Sequence, residues 1–126
     1  MKSYADIEGF SLYYLEDSYV LAIAATPGHL AIDLEVVLTP QHPQYSAYHP
    51  GEQHCYQHGR LLFDGVTELQ WTGQNRPPAR DLSGESDYGN IDSWRLGDEN
   101  RHILSGDFGT IKLTASSVKL LLDRDV

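Results

Sequence analysis

Four of the six histidines and the only cysteine fall within TPQHPQYSAYHPGEQHCYQHG, residues 39–59. Imidazole and thiolate hold zinc and serve as base or nucleophile near neutral pH. His42, His49, His54, Cys55 and His58 are therefore the first residues to weigh. His54 and His58 have the i,i+4 spacing that converges on a metal from a helix, but on a strand it parts the Cα atoms by ~13 Å. Zn–N bonds of ~2.1 Å cannot span that gap. A metal centre would need His42 or His49 folded in from the preceding loop, together with a remote carboxylate. His54 and Cys55 face opposite sides of a strand, and His58 has the wrong parity for Cys55 as well. A thiol–imidazole dyad would thus have to draw on His29 or His102. The segment reads as turn and strand histidines with a small buried cysteine, and implies no catalytic residue, no metal and no cofactor. The alternative is a small metal-dependent or ligand-binding enzyme using residues 42–58.

Other chemistry finds less support. The chain contains no G-x-S-x-G elbow, phosphate-binding glycine loop, H-E-x-x-H or C-x-x-C. DLSGESDYGNID, residues 81–92, spaces oxygen side chains like a calcium loop, but has Ser86 where the sharp turn needs Gly and Asp92 where a bidentate Glu belongs. Tyr45 and Tyr48, in the long first loop between His42 and His49, have no periodic reason for burial and are candidate recognition anchors.

These residues must be held by strands, because period-two alternation dominates the sequence. In HLAIDLEVVLT, Leu30, Ile32, Leu34, Val36 and Leu38 share one face, and Asp33 and Glu35 take the other. Pro27-Gly28 turns this strand back onto SYVLAIAAT, where Tyr19, Leu21, Ile23 and Ala25 alternate likewise. FSLYYL reads as an earlier strand, set off by the polar turn Glu16-Asp17-Ser18. Asp64-Gly65 between apolar runs is a strong hairpin signal, so residues 53–63 and 66–72 are expected to pair. GNIDSWRL, the turn GDEN and RHILSG form a further hairpin. In TIKLTASSVKLLL the apolar parity changes across Ser116-Ser117, which implies a bulge, a broken strand or a short helix capped by Ser116. Trp71 and Trp94 fit core positions with their indole N–H groups paired. The fold expected is all-β, an antiparallel β-sandwich or partly open barrel of seven to nine short strands, formed by residues 1–126 as one domain. Two long connections, residues 40–52 and 73–88, would carry the working surface.

The 126 residues include eighteen acidic against nine basic side chains, a formal charge of −9. No Lys or Arg occurs from Ser3 to Gly59, which opposes nucleic-acid binding, since phosphate contacts need clustered cations. It favours a basic protein partner, steered to Asp33 and Glu35, with Arg76 and Arg80 among the cations able to fold against that face. The longest apolar run, VLAIAA, is far short of the ~20 residues of a membrane span, and MKSYADIEGF lacks a secretory n-region and h-region. The expectation is a cytoplasmic protein that does not cross a membrane.

EDSYVL, GNIDSW and above all GDFGTIKLTASSVKLLL resemble small uncharacterised bacterial all-β proteins, some of which look like immunity proteins of polymorphic toxin systems. The resemblance implies a non-enzymatic protein-binding domain, an immunity-like inhibitor of a basic toxin, and carries no catalytic residues with it. A homodimeric structural subunit built on exposed strands is the remaining alternative.

Overall fold

Pro27-Gly28 and Asp64-Gly65 look alike as turn signals, yet only the first joins two strands. The computed structural model describes residues 2–46, 55–73, 79–80 and 86–123. Strand β1 is Lys2–Ser3, β2 Tyr13–Thr26, β3 His29–Leu38, β4 Cys55–Thr72, β5 Ala79–Arg80, β6 Ser86–Asp87, β7 Ile91–Leu96, β8 Arg101–Gly106 and β9 Gly109–Leu122. Between β2 and β3, Pro27 fixes φ while Gly28 takes φ +80°, and Thr26 pairs with His29 to close the hairpin. At Gly65 the chain runs on. β4 is one strand of 18 residues, so the hairpin expected between residues 53–63 and 66–72 does not form.

The partner strand explains the difference. β4 pairs β3 from Cys55 to Asp64 and β9 from Gly59 to Thr72, with Asp64 opposite Ser117 and Val66 opposite Ala115. Gly65 (φ +63°) therefore lies against Ser116, and both strands change inward parity at that level. On β4 the core-facing residues are Leu61 and Phe63 before the bend and Val66 after it. On β9 they are Ile111, Leu113 and Ala115, then Val118, Leu120 and Leu122. The parity change around Ser116-Ser117 is thus a bend within one continuous strand, not a break and not a helix. An extra residue on β4 between Val66 and Glu68 adds a bulge, a device that increases local bending and twist.

Because two strands bend together, one antiparallel sheet curls over its own inner face. Its order is β1-β7-β8-β9-β4-β3-β2, with β5 and β6 pairing separately. Six strands, β2 to β4 and β7 to β9, carry this half-barrel as one sheet rather than the two packed sheets of a sandwich, and β2, β4 and β9 run to 14, 18 and 14 residues. The free side of β2 touches the chain ahead of β7 at one point: Val20 N–H donates to Gly89 O (2.8 Å), Tyr88 N–H to Val20 O (2.8 Å), and Tyr19 bridges to Asn90. The described residues contain no helix long and apolar enough to cross a membrane. Inside, Trp94 is the hub, stacked on Tyr4 (5.7 Å between centroids) and edge-on to Phe10 (5.4 Å), with Phe63 at 5.6 Å. Tyr4 and Phe10 belong to short 3₁₀ turns, Tyr4–Asp6 and Phe10–Leu12. Burial, then a hydrogen bond donated to Glu16, holds the Tyr4 phenol above the ordinary tyrosine range.

β2 absorbs the stretch Glu16-Asp17-Ser18, expected as a turn, by a register shift between Tyr14 and Tyr19. Ser18 repairs the interrupted ladder: its Oγ donates to Tyr14 O (2.9 Å) and accepts from Val37 N–H (2.9 Å) while fully buried. Leaving a buried donor unpaired costs about 1–3 kcal/mol. Ser18→Ala is expected to lower unfolding free energy by that amount in urea titration with an unchanged m-value, and an undiminished midpoint would show that Val37 N–H has another acceptor.

Candidate functional site

The bulge that Ser18 supports also sets which side chains of β2 reach the outside. Leu15 and Val20 are fully buried, while Tyr14 and Tyr19 stand out at 44% and 39% exposure. Register places them in outward rows across three strands: Tyr14, Val37 and Tyr56; then Tyr19, Glu35 and His58; then Ala22, Asp33 and Arg60. The Tyr19 and Tyr56 rings meet at 6.0 Å, tilted by 32°. Val37 has the parity of Asp33 and Glu35 yet is only 3% exposed, so it is covered where Tyr14 and Tyr56 flank it.

Charges frame this aromatic patch. Arg60 Nε donates to Asp33 Oδ1 (2.8 Å), and that hydrogen bond, reinforced by the carboxylate charge, raises the guanidinium pKa further. His58 Nδ1 lies 2.7 Å from Asp123 Oδ2, with Glu35 directly across the ladder. Three carboxylates therefore surround one guanidinium and one imidazole. Tyrosine rings able to stack and excess carboxylate form a surface suited to guanidinium or ammonium groups on a partner. Among the described residues, no nucleophile–base pair is aligned on it.

Asp33 and Glu35 face outwards as their parity implies. Asp33, however, is neutralised by Arg60 of the neighbouring strand, which lies just beyond the cation-free stretch. Tyr45 is half-buried against the core, where it closes a turn instead of presenting a free ring. Arg80 lies in β5; Tyr48, Arg76, His49 and His54 lie outside the described residues. His42 is 8% exposed and uses both ring nitrogens: Nδ1 accepts from Gln44 N–H (3.0 Å) and Nε2 lies 3.3 Å from the Tyr13 hydroxyl. Cys55 points inwards at 5% exposure, and His58 points outwards. Among the described residues, no group of three His, Cys, Asp or Glu side chains could hold a metal ion.

The exposed tyrosines escaped sequence reasoning. Strict alternation puts Tyr19 on the face of Leu21 and Ile23, whereas shifts on both sides of it, between Tyr14 and Tyr19 and between Val20 and Ala22, turn it outwards. The available signal was the polar insert Glu16-Asp17-Ser18 inside an apolar run, which marks a bulge as readily as a turn. Compared with known proteins, the chain matches no family model, no curated protein and no solved structure.

Proposed function

We propose that this chain is a non-enzymatic β domain that binds a basic protein partner through its tyrosine face, in the manner of an immunity-like inhibitor of a basic toxin. The observation that carries this reading is the set Tyr14, Tyr19 and Tyr56 around Val37, rimmed by Asp33, Glu35 and Asp123. Tyrosine brings large contact area at little entropy cost, and is enriched among residues that dominate binding energy. Carboxylates at the rim act mainly on encounter, by steering a cationic partner. Bound Arg or Lys side chains would lie over the Tyr19 and Tyr56 rings with Glu35 and Asp123 beside them.

Affinity purification from the native cell, followed by binding kinetics on the partner recovered, tests this. Tyr19→Ala together with Tyr56→Ala is expected to weaken binding by about tenfold or more, mostly through faster dissociation. Asp33→Lys with Glu35→Lys should instead slow association, and wild-type association should slow as salt rises above ~0.15 M. An acidic partner, or kinetics indifferent to both pairs, would remove the support for this reading.

A further inference from the structure

The other half of the curled sheet carries the opposite charge. Beyond the bend, outward rows run Arg95, Ile103, Lys112 and Gln70; Arg101, Thr114 and Glu68; and Ser93, Ser105, Thr110 and Thr72. Three cations thus meet Glu68 among hydroxyl, amide and Ile103 side chains, with Asp92 exposed in the β7 irregularity at one end and Asp98 and Glu99 in the β7–β8 turn at the other. Arg95, Arg101 and Lys112 are exposed. Among the described residues they form no salt bridge, unlike Arg60 on the tyrosine half. A groove of about 670 Å³ runs over these strands, lined by Glu68, Gln70, Arg101, Ile103, Lys112 and Thr114. In a chain of net charge −9, two unpaired cations in one groove with a third, Arg95, on the neighbouring strand beside Ile103 are a local reversal of sign.

We propose that this groove binds an acidic polypeptide segment, whose carboxylates are taken by Arg101 and Lys112 in the groove and by Arg95 beside it, independently of the tyrosine face. Spacing fits an extended peptide. Diagonal neighbours on adjacent strands, such as Arg101 and Lys112, lie ~7–8 Å apart, and alternate residues of an extended chain are ~7 Å apart. Two carboxylates on one face of the peptide reach both cations, and Ile103, directly across from Lys112, offers apolar contact between them. Gln70, Thr110 and Thr114 supply further hydrogen-bonding groups. Nucleic acid fits less well. Specific phosphate binding commonly uses ~6–10 cation contacts, twice what this groove holds, and the net negative charge repels a long polyanion.

Fluorescence anisotropy of a labelled short peptide of alternating glutamate and valine, at about 0.05 M salt where screening is weak, tests the proposal on the full chain. Saturable binding is expected. Arg101→Glu and Lys112→Glu should each weaken it by about tenfold, whereas Lys119→Glu, an equal charge change at an exposed position on the other half of β9, should leave it unchanged. The variants alter exposed side chains, and circular dichroism checks that each remains folded. Absence of saturable binding would overturn the proposal, as would equal weakening by Lys119→Glu, insensitivity to both groove variants, or tighter binding of oligothymidine than of the peptide.

Discussion

Replacing Gly65 with alanine is expected to destabilise the protein by about 3 kcal/mol, a substantial part of the ~5–15 kcal/mol that holds a domain of this size folded. Two effects add. A residue with a Cβ held in the left-handed region costs ~1–2 kcal/mol, and the φ of +63° here cannot relax without straightening the bend. The added Cβ would also stand 1.9 Å from Ser116 Oγ and 2.9 Å from its Cβ, so Ser116 must rotate and release its hydrogen bond to Asp64 O (3.2 Å). Overpacking of this kind costs ~1–3 kcal/mol. The two effects can be separated. Ser116→Gly in the Gly65→Ala background removes the collision but not the backbone strain, so urea titration should recover roughly half of the loss. A Gly65→Ala protein as stable as wild type would mean that the bend does not depend on this residue.

The same position shows where sequence reading stops. Asp64-Gly65 satisfies the local chemistry of a hairpin turn, and nothing within ten residues distinguishes a turn from a bend. The choice is made by β9, some fifty residues downstream, whose Ser116-Ser117 kink matches the kink of β4 and keeps both in one ladder. Strand β3 was legible because it is regular and half-buried: Leu30, Ile32, Leu34 and Val36 are all at or below 1% exposure, and Asp33 and Glu35 face outwards. Strand β2 was not, because a period-two count fails when residues are inserted, and the insert moved Tyr19 from the expected inner face to the outer one. Charge was legible only as a total. The cation-free stretch from Ser3 to Gly59 is real, yet Arg60 meets Asp33 across the ladder, and Arg95, Arg101 and Lys112 gather on the other half by pairings that composition does not encode.

Stability should fall as pH drops from 7 to 5, in a way that depends on His102. This side chain is 7% exposed, edge-on to Phe63 (5.1 Å) and beside Trp94 (5.8 Å). Trp94 Nε1 donates to His102 Nδ1 at 3.1 Å, so the neutral ring must carry its proton on Nε2. Protonating Nδ1 would set two N–H groups against each other, and burial lowers the His102 pKa below that of a free histidine. The unfolded chain still titrates near ~6.5. Above that pH both states hold the neutral ring, and His102 adds no pH dependence. Below it the unfolded state binds a proton that the folded state refuses, so stability decreases by up to ~1.4 kcal/mol per pH unit until the lowered folded pKa is reached. His102→Asn keeps an acceptor near the position of Nδ1 for Trp94 and cannot titrate. It should lower stability at pH 7 through lost packing, yet show a shallower decline between pH 7 and 5 than wild type, when urea midpoints are compared at matched ionic strength. Every other ionisable group is common to both proteins, so the difference in slope belongs to His102. Parallel declines in the two proteins would show that the buried ring accepts its proton without cost, which would require the Trp94–His102 contact to open as the pH falls.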